Sequence, residues 1–225
     1  MSDPTAVADD VAAGAARYDD RLLRKYDRLI PANTRWVWGC HHDEILRRYQ
    51  AALGPRHLEI GVGSGHCPDR AAFPVPRPEL TLLDLNENTL RFSAHRLARY
   101  APRTVLANAL DPLADAGIEE NSADSVGLNL VLHCVPGDLP AKRGVLDNAA
   151  YALRPGGRAV GCTVLGQGVP HRPQARYKLR RLNQDGIFHN QQDSLTDLAG
   201  LLSEIFADFT LEVRGCMALF SGTAK

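Results

Sequence analysis

The sequence carries no excess of either charge: 26 Lys and Arg balance 26 Asp and Glu, for a formal net charge of zero. A chain that works on nucleic acid usually needs a basic face, so nucleic acid is not expected as the main partner. No apolar run is long enough to span a bilayer, and the first residues are acidic and alanine-rich, unlike a secretory leader. Cysteine is sparse and unpatterned. The five (Cys40, Cys67, Cys134, Cys162, Cys216) form no C-x-x-C pair, and an odd count at irregular spacing suits reduced thiols in a cytoplasm. The one concentration of metal-ligating types is Cys40-His41-His42, followed by Asp43 and Glu44. Residues so close in sequence rarely converge on one ion, so no metal is expected. Internal repeats and low-complexity tracts are also lacking.

What is present is alternation. At 225 residues the chain suits one α/β domain, able to bury roughly 70% of the surface its unfolded form exposes. Helical spacing of apolar residues runs from Tyr18 to Ile30 and again from His42 to Leu53, so residues 1–55 read as an N-terminal helical cap. Short apolar runs then read as strands over His57–Val62, Leu80–Leu85, Val105–Leu110, Asp124–Val135 and Arg158–Leu165. Helices are expected over Thr89–Arg99, Asp138–Leu153 and Leu195–Phe206. Strand–helix alternation implies parallel pairing with helices on both faces. Thr210–Val213 and Met217–Phe220 are joined too briefly to pair other than antiparallel.

Between the first strand and the next helix lies Leu58-Glu59-Ile60-Gly61-Val62-Gly63-Ser64-Gly65-His66-Cys67. Glycines at 61, 63 and 65 permit a sharp turn and a close ligand approach. A dinucleotide turn wants G-x-G-x-x-G, with the third glycine allowing tight helix–strand packing; His66 occupies that position. Glu59 would repel phosphate and attract an ammonium group. Asp84 ends the second strand about nineteen residues beyond Gly65, where a carboxylate suits a ribose diol. The alternative is that Asp84 caps the following helix, a task Asn86 can also perform.

These segments, with ANALDPL, ADSVGLNLVLHCVPG and LRPGG at the intervals found here, resemble the class I S-adenosylmethionine-dependent methyltransferases. The resemblance covers about Arg56 to Phe220. It implies a Rossmann-like seven-stranded sheet of order 3-2-1-4-5-7-6, strand 7 antiparallel, with the methyltransferase core over residues 56–225. By the same resemblance Gly61, Gly63 and Gly65 surround the methionine part of S-adenosylmethionine, and Glu59 anchors its ammonium directly or through water. Asp84 holds the ribose, Leu85 packs on adenine, and Asn108 and Ala109 meet the base. Asn129 and Leu130 lie near the sulfonium. Tyr26, in a Tyr26-Asp27 pair, reaches the cofactor's carboxylate. The product cofactor is S-adenosylhomocysteine.

Methyl transfer needs the nucleophile, methyl carbon and sulfur in line and water kept out. If the acceptor is a hydroxyl or thiol, a base assists, and His133, after the fourth strand's apolar run, is the candidate; the alternative is that it packs or orients. Residues 166–192 form a long segment holding a basic stretch, His171–Arg181, and read as a lid or substrate wall, with His171 and His189 facing the acceptor. Of Trp36 and Trp38, Trp38 is the expected pocket residue. The fourth strand reads NLVLHC rather than the Asn-Pro-Pro-Tyr type suited to amino groups of bases or glutamine. A small-molecule acceptor of secondary metabolism is therefore expected, with oxygen, nitrogen, sulfur and carbon all open. The competing readings are an RNA or protein methyltransferase docking through 171–181, and a cofactor-binding protein without catalysis.

Overall fold

The apolar runs of the sequence pair into one seven-stranded sheet. The computed structural model describes Leu23 and residues 29–225. The strands are β1 (Arg56–Ile60), β2 (Glu79–Asp84), β3 (Arg103–Leu106), β4 (Ala123–Asn129), β5 (Leu153–Val164), β6 (Asp208–Arg214) and β7 (Met217–Thr223), in the order β3-β2-β1-β4-β5-β7-β6. Strands β1 to β5 pair in parallel, and β7 runs antiparallel between β5 and β6. The helices are α1 (His42–Ala52), α2 (His66–Arg70), α3 (Glu87–Arg96), α4 (Arg143–Ala152), α5 (Pro173–Gln184) and α6 (Leu195–Ile205).

The period-two alternation of each strand splits the core between the two sheet faces. Leu58, Ile60, Val126, Leu128, Ala159 and Phe220 turn to one face, where Val145, Leu146 and Ala149 of α4 and Leu198 and Leu202 of α6 cover them. Cys162, Val164, Met217 and Leu219 turn to the other, under Ile45 of α1 and Ala175 and Leu179 of α5. On that side Leu80 and Leu82 pack against Leu90 and Leu97. Burying one such side chain contributes about 1.5–3 kcal/mol, so this two-sided burial is what holds the helices to the sheet.

Several element boundaries differ from the sequence expectations, among them the start of α4, at Arg143 rather than Asp138. β3 covers Arg103–Leu106 rather than Val105–Leu110, because the apolar VLANAL run straddles an edge strand and the loop after it; Leu106 is 59% exposed. β4 ends at Asn129 rather than Val135. Leu130 turns to φ 61°, and Leu132–Cys134 forms a short 3-10 turn in which Leu132 and His133 are buried without being strand. β5 starts at Leu153, with Arg154-Pro155-Gly156-Gly157 absorbed in an irregular stretch of the β4–β5 pairing.

The tryptophan pair lies in a π-helical turn, Asn33–Trp38, so the two rings diverge. Trp36 is 65% exposed and Trp38 is 5% exposed. The 166–192 segment is not structureless, since α5 occupies its middle. Among the described residues no helix is long and apolar enough to cross a membrane.

Candidate active site

β1 delivers the chain to the carboxyl edge of the sheet, where Gly61, Gly63 and Gly65 take φ of 68°, 54° and 72°. This is the left-handed region, open to glycine at little cost. Gly61 N–H donates to the Leu83 carbonyl at 2.8 Å and Gly65 N–H to the Val62 carbonyl at 2.9 Å, which fixes the turn against β2. A Cβ at Gly61 would strike Val131 at 2.6 Å, whereas a Cβ at Gly63 would meet nothing within 4 Å. Gly61 is thus required by packing, and Gly63 borders open space.

Asp84 sits across the turn. Its Oδ2 accepts from Gly63 N–H at 3.4 Å and its Oδ1 from Asn86 N–H at 3.0 Å. The next helix is capped by Asn86, whose side chain accepts from the N–H groups of Asn88 and Thr89, so Asp84 is not needed as a cap. Burial pushes the Asp84 carboxyl up to about 6, opposed by the N–H donors of Asn86 and Gly63. Leu85 follows on the same rim, half-buried.

Asn108 lies beyond β3. Its Oδ1 accepts from Leu110 N–H at 3.1 Å, an Asx-type turn that leaves the amide N–H2 without a partner among the described residues. The Ala109 carbonyl accepts from Asn148 at 2.9 Å. Asn129 ends β4, and its Nδ2 is buried with no hydrogen-bond partner. A buried amide donor left unsatisfied costs about 1–3 kcal/mol, so an acceptor is wanted at this point.

Glu59 carries contacts that its sequence position did not indicate. Its Oε2 is turned into a sealed network, accepting from Tyr49 O–H at 2.7 Å and pairing with His57 Nε2 at 2.9 Å. His57 Nδ1 lies 2.7 Å from Ser125 Oγ, which accepts from Gly54 N–H at 2.9 Å. One proton arrangement satisfies every atom: Ser125 O–H donates to Nδ1, and Nε2–H and Tyr49 O–H donate to the carboxylate. Any ammonium therefore reaches Glu59 only at its other oxygen. Tyr49 and His57 were not read from sequence as site residues; the His57-x-Glu59 alternation on one strand face was the available signal.

His133 is 3% exposed, with its ring 4.2 Å from that of Phe188. Burial pushes its imidazole down to about 3, helped by the nearby Lys142 ammonium. Its Nδ1 accepts from Val164 N–H at 3.3 Å and lies 3.2 Å from Thr163 Oγ1. His189 is joined to this group through its backbone, N–H to the His133 carbonyl at 2.8 Å. Its own carbonyl accepts from Lys142 Nζ at 2.9 Å. Lys142 and Asp193, both sealed from solvent, pair at 2.7 Å. Trp38, the expected pocket residue, lies in the apolar cluster that contains Phe188, its ring 6.0 Å from that of Phe188.

His171 lies against the chain just past β5. It donates from Nε2 to the Leu165 carbonyl at 2.8 Å and lines a groove of about 360 Å³ with Arg176, Arg180, Asn183 and Gln191. Beside the glycine turn, the His42 ring packs at a tilt against that of His66, 4.9 Å between centroids, and both His42 ring nitrogens are buried without a hydrogen-bond partner. Burial pushes His42 down to about 4. Among the described residues no three His, Cys, Asp or Glu side chains converge as a metal site. Tyr26 lies outside the described residues.

Comparison with known proteins agrees with this architecture. The family model described as a methyltransferase domain matches residues 58–159. Demethylluteothin O-methyltransferase of Streptomyces thioluteus is 43% identical over 93% of this chain and 90% of its own length. O-methyltransferase NEC2 of Pyricularia oryzae is 32% identical over 85% of this chain and 84% of its own. The solved N-methyltransferase NodS of Bradyrhizobium japonicum, in complex with S-adenosylhomocysteine, superposes with a TM-score of 0.58 at 18% identity, covering 81% of this chain and 85% of that one. With sheet order, glycine turn and relatives in agreement, the chain belongs to the class I S-adenosylmethionine-dependent methyltransferases.

Proposed function

We propose that this methyltransferase modifies a small organic acceptor of secondary metabolism at oxygen. The observation that carries the reading is the glycine turn closed against Asp84, with Gly63 bordering open space and the Asn129 amide unsatisfied nearby. These features fit S-adenosylmethionine. Gly61, Gly63 and Gly65 would pass its methionine part, and Asp84 would accept from the ribose hydroxyls. Leu85, Asn108 and Ala109 would border adenine, with Asn108 offering its N–H2 to a ring nitrogen. Asn129 and Leu130 would flank the sulfur end, and Glu59 would take the ammonium at its second oxygen. When bound, the cofactor supplies an electrophilic methyl group.

The acceptor is bounded by what lies past the turn. Phe188, His133 and Leu130 form a largely apolar neighbourhood, and residues 166–192 act as a lid over it, drawn in by Lys142 and Asp193. Oxygen is favoured by the two relatives, each named an O-methyltransferase. Turnover with methyl-labelled cofactor tests the reading, using demethylluteothin and a panel of phenols and enols. Label should enter an oxygen-linked methyl group. Label found only in RNA or protein would refute it. Exposed Arg172, Arg176, Arg180 and Arg181 are the feature favouring macromolecular docking. That alternative requires turnover to fall steeply with salt, whereas small-acceptor turnover should change little.

A further inference from the structure

The end of β4 leaves a defect that His133 repairs. On the β4 side of β5 the pairing stops at Asn129 and Cys162, with Leu130 N–H adding one bond to the Cys162 carbonyl. Val164 lies two residues further on, so no strand remains to receive its N–H. The turn through Leu130 and Val131 swings His133 back, and Nδ1 accepts that N–H at 3.3 Å. A backbone N–H only donates, so Nδ1 must carry a lone pair and the ring proton must sit on Nε2. Around this group, Lys142 at the start of α4 is bound to Asp193, Cys134 shares the turn, and His189 is held through its backbone. Nε2–H has no protein partner among the described residues, and Val131, two residues before His133, packs against Gly61 of the cofactor turn.

We propose that His133 is a fixed hydrogen-bond donor to an oxygen of the acceptor, not a proton acceptor, and that the acceptor hydroxyl is acidic enough to arrive ionised. This rests on the oxygen-directed reading above. An oxyanion gains the methyl group as the C–O bond forms; the C–S pair stays with sulfur, and both charges cancel. No proton has to be disposed of, so no base is needed. Enols and phenols are the hydroxyls that meet this condition, and Nε2–H would select for them by stabilising the bound oxyanion. The low affinity of this buried imidazole for a second proton keeps it neutral, and the Val164 N–H at Nδ1 fixes which nitrogen donates.

The tautomer is read directly by 15N NMR of histidine-labelled protein loaded with S-adenosylhomocysteine. The expected spectrum has a protonated Nε2 and a bare Nδ1 for His133 throughout the neutral range. A protonated Nδ1, or titration near pH 6.5, overturns the proposal even where cofactor binding is intact. With demethylluteothin as acceptor, His133→Asn retains a carbonyl to receive Val164 N–H but loses the outward donor. It should keep its Tm and lose about tenfold to a hundredfold in kcat/KM. Its pH profile should keep the wild-type acidic limb, which belongs to the acceptor hydroxyl. His133→Gln retains an N–H2 near the ε position and loses the strand cap, so it should lower Tm while keeping more activity than His133→Asn. Loss of the acidic limb in His133→Asn would mark a base and overturn the proposal. Where demethylluteothin is not turned over, the NMR result decides alone.

Discussion

Gly61 and Gly63 share a backbone conformation and differ in what surrounds them. Gly61→Ala would drive a Cβ to 2.6 Å from Val131, so beyond the left-handed strain of about 1–2 kcal/mol it forces the Val131 turn to move. Gly63→Ala carries the strain alone, since its Cβ meets nothing within 4 Å. The expected outcome is a larger Tm loss for Gly61→Ala, with Gly63→Ala remaining folded but losing cofactor affinity. Equal affinity in Gly63→Ala and wild type, measured by calorimetry, would remove the ligand from that space. Asp84 gives a pH test. Its folded value of about 6 lies above the unfolded carboxylate value, so between the two the folded chain holds a proton that the unfolded chain has released. Asp84 therefore favours the folded state below its unfolded value, and this contribution is lost as pH rises through about 6. Ribose binding runs the other way, because an ionised carboxylate accepts two hydroxyls better. S-adenosylhomocysteine affinity of the wild type should weaken as pH falls through 6, and that dependence should vanish in Asp84→Asn.

At the scale of elements, the link between the 166–192 segment and α4 is a buried ion pair. Lys142 Nζ touches Asp193 Oδ2 at 2.7 Å and the His189 carbonyl at 2.9 Å, while Asp193 Oδ1 has no partner. Burial pulls the lysine down and pushes the aspartate up, and each charge opposes the other's shift. Removing one partner strands a charge in the core. Asp193→Ala should destabilise by about 3–5 kcal/mol, while Lys142→Met with Asp193→Leu should recover most of that. If denaturant unfolding finds the single and double variants equally stable, the pair is not what holds the segment. Neither partner was legible in sequence. They lie 51 positions apart, and nothing in local pattern marks either as buried.

For the whole molecule, the strand–helix alternation was readable because most apolar runs are short and bounded by glycine or proline, whereas the sheet order was implied by the family resemblance. The antiparallel end was readable from the brief link through Arg214 and Gly215. The errors have one physical source: apolarity reports burial, not backbone conformation. LVLHCV at 130–135 is apolar because the turn after β4 packs inward, burying Val131, Leu132 and His133, and Leu130 at φ 61° cannot continue a strand. The glycine turn and Asp84 were legible because backbone and charge requirements leave a mark at fixed spacing. The Tyr49–His57–Glu59 network and the tautomer of His133 were not, since both depend on partners that only the folded sheet brings together.

The central claim is that the glycine turn and Asp84 hold S-adenosylmethionine. Calorimetric titration with S-adenosylhomocysteine tests it most directly. Wild type should bind in the micromolar range, about −8 kcal/mol, and Asp84→Ala should bind roughly tenfold or more weakly, a loss of at least about 1.4 kcal/mol. No heat of binding in the wild type, or equal affinity in the variant, would contradict it.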